Sequence, residues 1–361
     1  MKLSEYLLTT PYYLFWKVKK LFHSGEPVID FYIGEMMDYF IMKPVIRKFP
    51  QSRVVAKNAS IKKELETLGV AAISWPSFPD VVIMARHAMH EFPIDNVLKI
   101  GMAHGVYQFK RFIKAKKYNV FQRFFMTSQE HMLMGEKIGI ECGVAIGCPK
   151  LDQAFNGEID DNYLEELTIS LNLDPAKPTV MFSATWDKSG MSAIHLWHER
   201  IEELSDTYNV MVTLHPFMSK RYTDSLRNKK SIFYIDSYNT VPYLMLADVL
   251  VSDTSSIIGE YCAFNKPIVS FKVETGTRLT EDIKELIGSI SVSVQSFDEA
   301  KTAIEKSLKN DTLRAAREAA NKKFFYALDG KASDRAAEEI VKVLQENNLH
   351  TDASLMQVKT E

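Results

Sequence analysis

Cysteine is scarce: three in 361 residues. Cys142, Cys148 and Cys262 have neither an even count nor the spacing of metal ligands, which excludes a disulfide scaffold and a cysteine-held zinc site and fits a reducing cytoplasm. No uninterrupted apolar run reaches the length of a membrane span. The stretch Met1 to Thr10 has one early lysine and no small-residue cleavage pattern, so the expectation is a chain neither exported nor threaded through a bilayer. An excess of one charge is also missing. Lys and Arg number 44 against 46 Asp and Glu, a net charge of −2, which gives no global field for nucleic acid. Internal repeats and low-complexity tracts are absent. His87 with His90, and His195 with His198, share helical faces but bring no third ligand, and no Asp-x-Asp pair stands at a strand exit. These histidines read as structural, and no obligatory metal or other cofactor is expected.

What the chain does have is alternation. Strand-like runs at Val28 to Ile33, Arg53 to Ala56, Val70 to Ser74, Val81 to Met84 and Val97 to Met102 are separated by helical patterns. A second series follows at Thr179 to Ala184, Asn209 to Leu214, Ile232 to Ile235, Val249 to Val251 and Ile268 to Phe271. Apolar, β-branched strands alternating with helices predict parallel sheets covered on both faces, an α/β fold. The length suits two domains. The stretch Gly147-Cys-Pro-Lys-Leu-Asp152, with the polar run to Asp161, reads as the linker. This gives a Rossmann-like domain over 1–150, a second over 151–350 closed by helices at Asp311 to Tyr326 and Ser333 to Asn347, and a flexible tail over 351–361. Two such halves place the carboxyl ends of their strands toward a central cleft, where ligands bind in open α/β sheets.

Motifs at strand exits therefore matter most. The run from Ala247 to Phe271 reads as a buried strand, a hydroxyl-rich turn at Asp253 to Ser256, a short helix and a further strand. Free backbone N–H groups at the start of that helix, with the Thr254, Ser255 and Ser256 hydroxyls, suit a phosphate. His104, before Gly105, and His215, before Pro216, leave strands at equivalent positions in the two halves.

Taken together, His104-Gly105 with a lysine soon after, Gly147 to Asp152, Phe182-Ser-Ala-Thr-Trp-Asp187, His215-Pro216, and Ser252 to Ser256 with Glu260 and Lys266-Pro267 resemble the CDP-glycerol glycerophosphotransferases of teichoic acid synthesis. The resemblance runs from about His104 to about Phe271. It implies a GT-B-like fold of two Rossmann-like domains and transfer of a polyol phosphate from a CDP-linked donor to a hydroxyl of a glycan or lipid-linked acceptor. Three motifs depart from the family pattern. Val106-Tyr107 replaces Thr-Pro after the His-Gly pair, Thr254 stands where an aromatic is common, and Cys148 with Lys150-Leu151 alters the linker turn. These changes bear on the polyol and the acceptor rather than on the reaction class.

Such a transfer needs a base, donors for the phosphoryl oxygens, and a nucleotide pocket. His104 suits the base, beside a glycine that allows close approach, with Asp253 in reserve. His215, Ser255 and Ser256 suit the phosphoryl oxygens. Thr185 should lie near the donor diphosphate, and Glu260 can accept from ribose hydroxyls or stand as a solvated helix carboxylate. Trp186 lines the cleft or packs on the sheet. Gly105, Lys110 and Arg111 fall on the acceptor or membrane side. The aromatic-basic stretches Pro11 to Phe22 and Lys110 to Tyr118 suit an anionic membrane surface or, alternatively, solvated helix faces. The protein is thus expected at the inner face of the cell membrane, peripherally bound. Competing readings are a nucleotide-sugar glycosyltransferase, a CDP-ribitol-dependent transferase and a catalytically silent scaffold.

Overall fold

The computed structural model describes residues 3–22, 25–106, 114–273 and 281–349, apart from the side chains of 3–8 and 282. Lys110, Arg111 and the tail 351–361 lie outside the described residues.

Seven strands form one sheet: β1 (Ile29–Ile33), β2 (Arg53–Ala56), β3 (Ala72–Ser74), β4 (Val81–Met84), β5 (Leu98–Met102), β6 (Arg123–Met126) and β7 (Gly143–Ala145). Six form another: β8 (Thr179–Ala184), β9 (Asn209–Leu214), β10 (Phe233–Tyr234), β11 (Val249–Ser252), β12 (Ile268–Phe271) and β13 (Val292–Val294). Their spatial orders are β3-β2-β1-β4-β5-β6-β7 and β10-β9-β8-β11-β12-β13. Every pairing is parallel, as runs such as Val81-Val-Ile-Met84, buried along their whole length, require. Both sheets reverse strand order once, between β1 and β4 and between β8 and β11. Each such reversal opens a crevice at the carboxyl ends of the two strands.

β6, β7 and β13 were not foreseen. β6 is aromatic rather than β-branched, and β7 and β13 are three residues each and only partly buried, too short for a periodic signal. Gly101 on β5 is needed for packing across to β6, since a Cβ there would lie 2.3 Å from the Phe124 ring.

The chain divides into two compact units, one drawn from Met1–His104, Phe112–Asp152 and Asp329–Glu361, the other from Gly105–Arg111 and Gln153–Leu328. In the first, Tyr32, Val82, Met84, Phe92, Tyr118 and Phe124 belong to one apolar cluster. In the second, Val180, Phe182, Trp197, Val212, Val251 and Ile304 do.

The closing helices part company, against the expectation that both belong to the second domain. The helix Arg314–Phe324 stays in the second unit, where Asn321 Nδ2 donates to the Cys262 carbonyl at 2.9 Å. The helix Ala332–Glu346 returns to the first. There the Asp152 carboxylate accepts from the amides of Ala332 (3.0 Å) and Ser333 (2.7 Å), and Arg123 pairs with Glu346 at 2.6 Å. Asp152, read in the sequence as part of a linker motif, is therefore the anion at this helix N-terminus.

Candidate active site

In the second unit the exits of β8, β9 and β11 carry the motif residues. Asp253 follows β11 and is buried. Its Oδ1 accepts from the Thr185 amide (3.0 Å), the Thr185 hydroxyl (2.8 Å) and the Thr254 amide (2.6 Å), and its Oδ2 accepts from the Ala193 amide at 3.0 Å. Burial raises its pKa, while the amides of Ala193, Thr185 and Thr254 and the Thr185 hydroxyl pull the other way. With both oxygens occupied by donors, Asp253 ties the loops after β8 and β11 together and is not placed to take a substrate proton. Its candidacy as reserve base is corrected on that ground.

The two threonines also differ from their expected parts. The Thr185 hydroxyl donates to Asp253, and Thr254 Oγ1 lies 3.3 Å from both Thr185 Oγ1 and the Met191 carbonyl, to which it donates. Their protons serve the loop itself, so the hydroxyls facing outward from this turn are those of Ser255, half-buried, and Ser256, exposed. The helix Ile257–Cys262 begins without a side-chain cap from Ser256. Gly105, grouped with the second unit, approaches this turn: a Cβ placed on it would lie 3.9 Å from Ser256 Oγ. Glu260 is 8 % exposed, which removes the solvated-carboxylate alternative.

His215 follows β9. The Phe217 amide donates to its Nδ1 at 3.1 Å, so a neutral ring carries its proton on Nε2. Trp186, half-buried rather than packed into the sheet, has its ring centroid 6.4 Å from His215 and 6.2 Å from Phe217. The tryptophan buried against the sheet is Trp197, 5.1 Å from Phe182.

Sequence reading missed the clamp beneath these rings. The Asp187 carboxylate accepts from the Ser219 amide (3.1 Å) and hydroxyl (2.7 Å) and stands 3.7 Å from Arg221. Ser219 directly before the helix Lys220–Arg227 was the available signal, being an N-cap residue type.

In the first unit, His104 is exposed in the bend after β5. The β1–β4 reversal, which sequence reading passed over, holds a charged cluster. Arg86 pairs with Asp38 (2.8 Å) and Glu35 (2.7 Å), and Asp38 Oδ2 accepts from the amides of Gly34 (3.1 Å) and Glu35 (2.9 Å). One histidine of each pair is engaged by its neighbours. His87 stacks on Phe124 at 5.4 Å, and His198 Nδ1 meets the Ile194 carbonyl at 3.1 Å. Among the described residues no group of three or more His, Cys, Asp or Glu side chains is placed to hold a metal ion.

Residues 115–342 match the family model described as CDP-glycerol:poly(glycerophosphate) glycerophosphotransferase. Among curated relatives, a teichoic acid ribitol-phosphate polymerase of Staphylococcus aureus is 24% identical over 72% of this chain and 52% of its own length. A teichoic acid poly(glycerol phosphate) polymerase of Staphylococcus epidermidis is 29% identical over 41% of this chain and 20% of its own length. The chain thus spans about half or less of the relatives it matches here. Among solved structures, a variant of the wall teichoic acid polymerase TagF superposes with a TM-score of 0.70 at 15% identity, covering 97% of this chain and 100% of that one. Staphylococcus aureus MnaA, solved with UDP, gives 0.64 at 14% identity over 90% and 98%. Both likenesses show the fold, which is GT-B-like.

Proposed function

The chain belongs to the CDP-glycerol:poly(glycerophosphate) glycerophosphotransferase family, and from that premise we propose that it transfers a polyol phosphate, glycerol phosphate from CDP-glycerol, to a hydroxyl of a cell-envelope glycan or its lipid-linked precursor. The acceptor oxygen bonds to the distal phosphorus of the donor, the bond from that phosphorus to the bridging oxygen breaks, and CMP leaves. His104 takes the acceptor's proton. His215, donating from Nε2, and the Ser255 and Ser256 hydroxyls neutralise charge on the phosphoryl oxygens. Glu260 accepts from the ribose hydroxyls.

The observation that carries the reading is the turn at the β8–β11 reversal. Asp253 spends its hydrogen-bonding capacity inward, through Thr185, Ala193 and Thr254, and the turn it braces carries Ser255, half-buried, and Ser256, exposed, at the exit of β11, while His215 stands at the exit of β9 with its Nδ1 accepting from the Phe217 amide. This arrangement supports the reading of preorganised donors for an anion at a switch point. The test is incubation of the purified protein with CDP-glycerol, CDP-ribitol and a set of nucleotide sugars, measuring release of CMP or UDP. CMP release from a CDP-polyol in the presence of acceptor is expected, and the faster polyol identifies the donor; both polyols occur in the names of the relatives. UDP release from a nucleotide sugar, with no CMP, would make the chain a glycosyltransferase.

A further inference from the structure

The turn that leaves β9 carries an apolar ring where turns carry small or polar residues. His215-Pro-Phe-Met218 is closed by the Met218 amide, which donates to the His215 carbonyl at 2.8 Å, and Pro216 holds the second position, which its fixed φ suits. Gly, Asn, Asp and Ser are the usual occupants of the third. Here it is Phe217, 55% exposed, while Met218 beside it is buried in the apolar cluster of the second unit. The fold therefore gains its anchor from Met218 and little from Phe217. Trp186, half-buried at the exit of β8, lies edge to face with that ring, the two planes at 83° and the centroids 6.2 Å apart.

Both rings stand on pinned backbone. The residue before Trp186 is tied down through the Thr185 amide, which donates to Asp253 at 3.0 Å, and the residue after it through the Asp187 carboxylate, which accepts from the Ser219 amide and hydroxyl. Ser219 follows Phe217 by two residues, so one clamp fixes the bases of both rings. Arg221, exposed, stands 3.7 Å from the same carboxylate. Rigid aromatic surface of this kind loses little conformational freedom when a ligand covers it. It also has a chemical preference. A ring face is electronegative and meets weakly positive C–H groups, such as those on the faces of a pyranose, while polar side chains at its border meet the hydroxyls.

The place of this pair relative to the proposed reaction selects the ligand. In the transfer reading the ribose is at Glu260, on the connection from β11 to β12, and the phosphates are at the Asp253–Ser256 turn. β9 lies on the other side of that turn, two strands and about 10 Å from β11. In a phosphoryl transfer the attacking and leaving oxygens are roughly in line, so with CMP leaving toward β12 the acceptor hydroxyl arrives from the side of β8 and β9. We infer that Trp186 and Phe217, bordered by Arg221, are the subsite that seats a pyranose ring of the acceptor, and that they set its preference for a saccharide. The inference rests on the transfer reading for the direction of approach and on the rings themselves for the class of ligand.

The test is saturation-transfer NMR on the full chain, without donor, using the methyl glycosides of glucose and N-acetylglucosamine as probes and glycerol phosphate as the ring-free control. Wild type transfers saturation to the ring C–H protons of the glycosides. Phe217→Ala weakens glycoside binding about tenfold. Phe217→Leu, apolar but without a ring face, does not restore it, and Phe217→Tyr does. All three keep the wild-type melting temperature and CDP-glycerol affinity, because the ring is exposed and the hydrogen bond to His215 comes from the backbone amide. In the transfer assay the acceptor KM of Phe217→Ala rises by a similar factor while the donor KM holds. Wild type that ignores the glycosides, or a Phe217→Ala variant that binds them as well as wild type, would overturn the inference. So would loss of CDP-glycerol affinity in Phe217→Ala with glycoside binding intact, which would make the pair a seat for the cytosine ring. CMP release onto an acceptor by a protein that binds no glycoside removes this subsite and leaves the transfer reading standing. Glycoside binding that is lost in Phe217→Ala, with no CMP released from either CDP-polyol, does the reverse.

Discussion

The two sheets share the order 3-2-1-4-5-6 in their first six strands, and each sets a buried aspartate near its reversal point, yet the two points are used differently. In the first unit Asp38 accepts from the amides of Gly34 and Glu35 and is neutralised by Arg86. The donors that a ligand anion would seek are already taken by the protein's own carboxylate. In the second, Asp253 is held by neutral donors from two loops, those after β8 and β11, and the turn it organises carries the half-buried Ser255 and the exposed Ser256. One topology thus yields a reversal point occupied by its own ion pair and another that, in the proposed function, receives the donor's phosphates. The choice rests on whether the aspartate caps its own helix or braces the loops around it.

The largest effect tests the chemistry assigned across this comparison. His104→Ala is expected to lower turnover 10²- to 10⁴-fold, about 3 to 5 kcal/mol of barrier, with folding and CDP-glycerol binding retained. Turnover close to wild type would remove His104 from the mechanism. Next comes the contrast between the aspartates themselves. Asp253→Asn places an amide NH₂ against backbone N–H donors in a buried site and should cost about 3 kcal/mol of stability, together with donor affinity. Asp38→Asn leaves Arg86 its Glu35 partner and should cost about 1 to 2 kcal/mol with the donor KM unchanged. Thermal melts and donor titrations on both variants decide this. Equal loss of donor affinity would mean that the two reversal points are not specialised.

A smaller effect probes the outward hydroxyls. Because Ser256 makes no side-chain cap on the helix Ile257–Cys262, the double variant Ser255→Ala, Ser256→Ala should keep its melting temperature and lose about 1 to 3 kcal/mol of CDP-glycerol affinity. Calorimetry showing unchanged affinity would relocate the phosphates.

Much of this site was legible in the sequence, because strand exits announce themselves. β4, β8, β9 and β12 fall at the residues expected, and the turn Asp253 to Ser256, His104 and His215 all stand at exits. What stayed hidden depends on contacts distant in sequence. The inward role of Asp253 needs the Ala193 amide, 60 residues away. The Asp187–Ser219 clamp joins residues 32 apart. The return of the helix Ala332–Glu346 to the first unit is secured by Asp152, 180 residues upstream of its Ala332 partner. Hydrophobic periodicity carries none of these, since each is a single hydrogen-bonding choice of a polar side chain. The lysines of the helix Leu3–Leu21 teach the same lesson. Lys17, Lys19 and Lys20 read alike in sequence, and only Asp80 singles out Lys20.

The smallest effect sets Asp187 against Asp253 in their response to pH. Burial works to raise the Asp187 pKa, but the hydroxyl and amide of Ser219, together with the amides of Asp187 and Lys188, hold the carboxyl below its ordinary 3.8. A folded-state pKa below the unfolded one means that the group's stabilisation is fully present above about pH 3.8 and is lost as pH falls through the folded value. Asp253 has the opposite sign. Burial lifts its folded pKa above the unfolded one, so the folded state takes up that proton first and acidification through this range does not withdraw stability through it. The melting temperature of Asp187→Asn should therefore lie below wild type at pH 7, and the gap should close as pH drops below about 3.8. Asp253→Asn is expected to show no such closing through loss of carboxylate stabilisation. A gap for Asp187→Asn that stays constant from neutral to strongly acidic pH would show that the Ser219 hydrogen bonds do not depend on the carboxylate charge, and the loops carrying Trp186 and His215 would then be joined equally well by a protonated Asp187.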